Sequence, residues 1–234
     1  MPGTLYLIPA PLGESYDLPI PKQVVDIVHS LEVFITERGK TARQYLKQLE
    51  TPIPFQDMTF FELNKFTNLD ELPSFLAPAL ELGKDVGLMS EAGCPGVADP
   101  GADVVKLAHE LGLNVVPLVG PSSILLALMA SGLNGQTFAF QGYLPIKMPE
   151  RAKRISQLEH IAKRANQTQI FIETPYRNDA FLSDLLKHLS PETLLCVATD
   201  LTLPTQYIKT KSVFSWKMDE LPNLNKRPTI FLFL

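Results

Sequence analysis

The chain has 234 residues, about one and a half times the usual domain of roughly 150 residues, so one large unit or two small ones fit it. Hydrophobic residues make up 45% and charged residues 20%, which excludes disordered, collagenous and coiled-coil chains. The net charge of −4 is unevenly spread: the first 117 residues carry 8 Lys and Arg against 16 Asp and Glu, and the rest carry 13 against 9.

Along the chain, short β-rich runs alternate with longer amphipathic stretches. The first half predicts a strand at 4–8, a helix at 22–30 behind Pro21, a strand at 33–36 and a helix at 41–49. Pro52 and Pro54 then break the chain. A helical pattern resumes at 72–82, with Pro73 near its start and Pro78 inside it. A strand at 85–89, a turn-rich stretch at 91–101, a helix to about 111 and a strand at 114–118 follow. The second half predicts helices at 122–129, 151–165 and 181–189 and strands at 137–140, 170–172, 194–199, 206–210 and 229–234, while 213–216 stays open. The alternation specifies an α/β protein with a mainly parallel sheet, arranged as two α/β lobes, 1–117 and 118–234.

No apolar run reaches the 18 or so residues of a membrane span, so no membrane partner is expected. The N-terminus lacks the basic residue of a secretory signal. Two cysteines, Cys94 and Cys196, build neither a disulfide framework nor a metal cluster, and point to a reducing cytoplasm and no metal. Lys147, Arg151, Lys153, Arg154, Lys163 and Arg164 fall in one short segment, which reads as a solvated helix face or as a footprint for an anionic partner such as RNA.

Three loops carry the chemistry. Pro9-Ala10-Pro11-Leu12-Gly13-Glu14 leaves the first strand, where ligands of open α/β sheets sit, although a plain turn needs the same residues. Residues 90–101, SEAGCPGVADPG, follow another strand. Gly93 and Gly96 permit positive φ, Glu91 can accept hydrogen bonds from a ribose or an amino group, and Asp99 reads as a helix N-cap. Cys94 has no His or cation in its neighbourhood to activate it. The third loop, Val116-Pro117-Leu118-Val119-Gly120-Pro121-Ser122-Ser123, enters a helix whose first turn can cap itself or bind an anion. No GxGxxG or GxxxxGK[ST] is present.

PxPxG, E-x5-R, S-[DE]-A-G-x-P-G-x-x-D-P-G and V-x-G-P-S-[AS], in this order, followed by Phe138-x-Phe140-x-Gly142-Tyr143-Leu144-Pro145 and Glu173-Thr174-Pro175-Tyr176-Arg177, resemble the tetrapyrrole methylase superfamily. These are the class III S-adenosylmethionine-dependent methyltransferases, and the resemblance is nearest to the branch that methylates the 2′-hydroxyl of a cytidine in small-subunit ribosomal RNA. It implies two α/β lobes with S-adenosylmethionine in a cleft between them, a homodimer, and ribosomal RNA as partner. By motif position it implies cofactor contacts from Leu12, Glu91, Gly93, Ser122, Ser123, Ile172, Ala198 and Thr229. Glu37 becomes the candidate base or orienting group, Arg43 a catalytic anion contact and Arg177 a substrate contact.

The chain departs from that branch. Thr36-Glu37-Arg38-Gly39-Lys40 stands where A-E-D-T-R is usual, Glu14 where an Asn is usual, and Thr199-Asp200-Leu201-Thr202-Leu203 where R-E-L-T-K is usual. The competing readings are therefore a methyltransferase acting on a tetrapyrrole or other small molecule, and a cofactor-binding protein without catalysis. For Glu37 the alternative is a surface salt bridge to Arg38 or Lys40. His29, His109, His160 and His188 fall in predicted helices and receive no catalytic role.

Overall fold

The computed structural model describes residues 1–14 and 19–234. The chain divides into two compact units, Met1–Ser122 and Ser123–Leu234. The division falls after Ser122 rather than after Pro117 because the intervening residues stay with the first sheet. Leu118 N donates to Leu7 O at 3.0 Å, and the Cys94 thiol reaches Pro121 O at 3.5 Å.

The first unit runs β1 (Thr4–Ile8), α1 (Lys22–Val28), β2 (Val33–Thr36), α2 (Gly39–Gln48), β3 (Thr59–Glu62), α3 (Leu72–Glu81), β4 (Val86–Met89), α4 (Ala102–Glu110) and β5 (Asn114–Pro117). Its five strands are all parallel, in the order β3-β2-β4-β1-β5. Every residue of β2 and β4 is buried, as a parallel strand covered on both faces requires. On one face Leu5, Val33, Ile35, Val86 and Leu88 pack with Phe75 and Leu76 of α3 and Val104 and Ala108 of α4. On the other, Ile8, Phe34 and Met89 pack with Val24 and Val28 of α1 and Tyr45 and Leu46 of α2. Pro78 sits inside α3, which continues only to Glu81; the Pro78 carbonyl then accepts from both Leu82 N and Lys84 N and closes the helix.

The second unit runs α5 (Ser123–Ser131), β6 (Phe138–Phe140), α6 (Met148–Ala165), β7 (Thr168–Ile172), α7 (Asn178–His188), β8 (Leu194–Thr199), β9 (Tyr207–Ser212), α8 (Val213–Met218) and β10 (Thr229–Phe233). Its strand order is β6-β7-β10-β8-β9. Only β6 and β7 are parallel; the pairs β7–β10, β10–β8 and β8–β9 are antiparallel. The expectation of mainly parallel sheets therefore holds for the first unit and is corrected for the second. One face, carrying Phe171, Phe231, Phe233, Leu195 and Val197, is covered by α6, α7 and α8. The opposite face is met by α5, whose Ser131 carbonyl accepts from Thr210 Oγ1 at 2.7 Å. Residues 213–218 are helical because Ser212 caps them, accepting from Ser215 N. Among the described residues no helix is long and apolar enough to cross a membrane.

Candidate active site

In the first sheet β1 lies between β4 and β5, so the loops leaving these three strands emerge side by side at the carboxyl edge. They are tied together. Ala10 N donates to Gly93 O at 2.8 Å and Gly93 N to Ala10 O at 2.9 Å, joining the first loop to the second. Gly93 is left-handed, at φ +73°, and a Cβ there would lie 3.4 Å from Leu12 Cδ2. The third loop docks just as closely: a Cβ on Gly120 would fall 2.2 Å from Pro9 Cγ and 2.3 Å from Pro9 Cβ. Burial pushes the Cys94 thiol upward, which removes it further from nucleophilic use.

An open cavity of about 220 Å³ lies beside the first loop, lined by residues 10–14, by 89–92 and by α2. Helix α2 turns Thr41, Tyr45 and Gln48 toward it because a spacing of four and then three residues shares one helical face. Tyr45 donates its hydroxyl to Pro9 O at 3.0 Å, and burial raises the phenol so far that it stays a neutral donor. Of the expected site residues, Leu12 and Glu91 line this cavity. Gly93 is buried beneath Leu12. Arg43 lies elsewhere on α2: it is exposed, its guanidinium 4.4 Å from the Phe60 ring centre. Gly39 N, at the start of α2, donates to Glu62 Oε1 at 3.2 Å, a carboxylate on a helix N-terminus.

Glu37, following β2, is half-buried and makes no ion pair within 4 Å with a described residue, so the salt bridge to Arg38 or Lys40 is absent. Burial raises its carboxyl pKa, the charge of Glu91 raises it further, and Arg38 partly offsets both. Asp99 is pushed up to about 6 by burial, then by Glu37 and Glu91. These three carboxylates, from the loops after β2 and β4, thus sense one another. The N-cap reading of Asp99 is corrected: α4 starts at Ala102, and the cap is Gly101 at φ +137°. Ala98, just before Asp99, is itself held at φ +63°. Asp99 and Glu91 lay in one recognised motif, but Glu37 follows another strand, where linear spacing gives no signal.

In the second unit, Ile172 and Ala198 flank Ile230 in one cross-strand row, on the face away from Phe171, Phe231 and Val197. Thr229 precedes Ile230, and the two-residue period turns its side chain to the other face. There its hydroxyl meets Thr199 Oγ1 at 2.8 Å and Arg227 O at 3.0 Å. Ser123 opens α5, and Ser122 closes the first unit. Arg177 is paired with Glu173 at 2.6 Å.

The basic segment is only partly solvated. Arg151 is 5% exposed and binds Asp184 at 2.6 Å, Arg154 donates to Gln141 Oε1 at 3.0 Å, and Lys163 pairs with Glu159 at 3.1 Å. Burial would raise the Glu159 carboxyl, but hydrogen bonds from Thr193, Ser190 and Lys163 outweigh it and hold it low. Ile161 and Ala165 of α6 are exposed.

The family model described as Tetrapyrrole (Corrin/Porphyrin) Methylases matches residues 4–215. A Bacillus subtilis (strain 168) protein named Ribosomal RNA small subunit methyltransferase I is 32% identical over 189 residues, 80% of this chain and 60% of that protein. A Vibrio cholerae serotype O1 (strain ATCC 39315 / El Tor Inaba N16961) protein of the same name is 30% identical over 198 residues, 85% of this chain and 65% of that protein. The chain therefore spans 60% to 65% of the length of these relatives. The crystal structure of the methyltransferase CobJ matches with a TM-score of 0.64 at 20% identity, over 99% of this chain and 93% of that one, which is a likeness of fold. The chain belongs to the tetrapyrrole methylase family, the class III S-adenosylmethionine-dependent methyltransferases.

Proposed function

We propose that the chain transfers a methyl group from S-adenosylmethionine to RNA, a ribosomal RNA 2′-hydroxyl being the acceptor that the resemblance implies. The observation that carries this reading is the Ala10–Gly93 backbone pair, which fixes Leu12, Glu91 and Gly93 beside one another at the carboxyl edge of the first sheet. The residues suit the group. Gly93 supplies the left-handed turn, at φ +73°, with its backbone bare beside Leu12, and the half-buried Glu91 carboxylate can accept from a pair of ribose hydroxyls. Leu12, Glu91, Gly93 and Ser122 are the contacts proposed in the first unit, and Ser123, Ile172, Ala198 and the backbone at Thr229 those in the second. When bound, S-adenosylmethionine supplies an electrophilic methyl group.

A hydroxyl acceptor must lose a proton as it is methylated, and Glu37 is the proposed base. Burial and the Glu91 charge hold its proton affinity up, in the direction a general base needs. Arg43, exposed over Phe60, suits a phosphate contact rather than the methyl-transfer step. Arg177, spent on Glu173, holds the 174–176 turn in place. A homodimer, the other expected partner, belongs to the same proposal.

The test is incubation with methyl-labelled S-adenosylmethionine and separated RNA, protein and small-molecule fractions of a cell extract. Label entering RNA is the expected result. Label confined to small molecules would transfer the reading to a tetrapyrrole or other small acceptor. Binding of S-adenosylhomocysteine without transfer to any fraction would leave a cofactor-binding protein without catalysis.

A further inference from the structure

Strands β6 and β7 end side by side, since Gln141 N donates to Ile170 O at 2.8 Å and Ile172 N to Gly142 O at 3.1 Å. The chain leaving β6, residues 142–147, and the chain leaving β7, residues 173–177, therefore emerge from one sheet edge. A buried frame fixes both. Arg151 donates through Nε to Pro145 O at 2.8 Å and through Nη2 to Ile146 O at 3.0 Å, while Glu173 Oε1 accepts from Thr174 N and Arg177 Nη2, each at 2.6 Å. Arg151 Nη2 and Glu173 Oε2 are 3.9 Å apart, which couples the two halves.

The frame displays two aromatic rings, with the exposed Ile146 beside them in the chain. Leu144 turns into the core, whereas Tyr143 is 58% and Tyr176 75% exposed, and neither phenol has a hydrogen-bond partner among the described residues. Two lysines without ion pairs among those residues belong to the same backbone segments. Lys147 precedes α6, and Lys226 donates its backbone N–H to Pro175 O at 3.0 Å. Lys226 is held at φ +61°, a left-handed conformation that is strained in a residue with a side chain. The carboxylates of the frame, Glu173 and Asp184, are consumed by Arg177 and Arg151.

We propose that Tyr143 and Tyr176 form a stacking platform for unpaired bases of single-stranded RNA, with Lys147 and Lys226 meeting its phosphates. The proposal rests on the RNA reading above and assigns it a surface outside the carboxylate site. Aromatic rings held on a rigid frame stack bases whatever their sequence, and flanking cations track the backbone.

The test uses the full chain and a fluorescein-labelled single-stranded RNA, with the same sequence as a duplex, read by anisotropy at low salt. Tyr143→Ala and Tyr176→Ala are each expected to weaken single-strand binding by about tenfold. Tyr176→Phe should retain it, and Lys226→Gln should flatten its salt dependence. S-adenosylhomocysteine affinity and melting temperature should not change, since both rings are at the surface. Unchanged RNA affinity in the double alanine variant overturns the platform and leaves the RNA reading standing. No RNA binding by the unaltered chain overturns both. Conversion of a dimer to a monomer at unchanged RNA affinity would assign the patch to a second copy instead.

Discussion

The carboxyl group of Asp99 is harder to ionise in the folded chain than in the unfolded one, because burial, Glu37 and Glu91 carry it from 3.8 to about 6. Between those values the folded state binds the extra proton, so stability falls as pH rises through this window, and the penalty is fully present above it. Asp99→Asn removes the penalty. It is expected to stabilise the chain by up to about 1 kcal/mol at pH 7.5, after allowing for screening by solvent, and by nothing at pH 3.5. Urea unfolding at both pH values measures this. Methyl transfer has the opposite sense: a base works only when deprotonated, and burial and Glu91 raise the Glu37 carboxyl above its usual range, so the rate should climb with pH as Glu37 ionises and then level off; a profile flat across the acid range would remove Glu37 from the proton transfer. At this scale the sequence was half legible. Gly93 and Gly96 were read correctly as positive-φ positions, at +73° and +77°. Asp99 differs from the N-cap expectation because Asp-Pro-Gly imitates a helix start, and of what raises its pKa neither its burial nor the approach of the distant Glu37 is visible in the local sequence.

Helix α6 carries the largest expected cost of a single change. Arg151, 5% exposed, satisfies Asp184, Pro145 O and Ile146 O together, so Arg151→Met strands a half-buried carboxylate and two carbonyls. A loss of about 3 kcal/mol or more is expected in denaturant unfolding, and a loss below about 1 kcal/mol would mean that Asp184 finds water at little cost. Elements with a strong period were legible: β1, β2 and β8 lie at the expected residues, and most helix ends moved by one to three. Strand β3 was missed. Its four residues, Thr59–Glu62, follow two prolines and pair only with β2, too short a run for a period of two to register. Strand direction was not legible either, since β10, with every residue buried, reads like a parallel core strand yet pairs antiparallel on both sides.

Each unit has its own hydrophobic core, and the chain passes from one to the other between Ser122 and Ser123. Heat can therefore melt them in separate steps, and a ligand raises the step of a unit that holds it. S-adenosylhomocysteine at about 100 times its Kd is expected to add about 2.7 kcal/mol to the state that binds it, seen by scanning calorimetry as a rise in each step whose unit contributes contacts. Gly93→Val should abolish that gain as well as lowering the unliganded midpoint, because valine at φ +73° is strained and breaks the Ala10 pairing. A ligand-induced rise that survives in Gly93→Val would place the donor away from this loop. The contact of Gly120 with Pro9 bears on how such a chain can change over generations. A methyl group at 120 would overlap the proline ring, so Gly120→Ala alone should be severely damaging, while Gly120→Ala with Pro9→Gly should recover much of the loss. The two positions, 111 residues apart, are coupled in one direction: while proline stands at 9, position 120 must stay glycine, and only a smaller residue at 9 releases it.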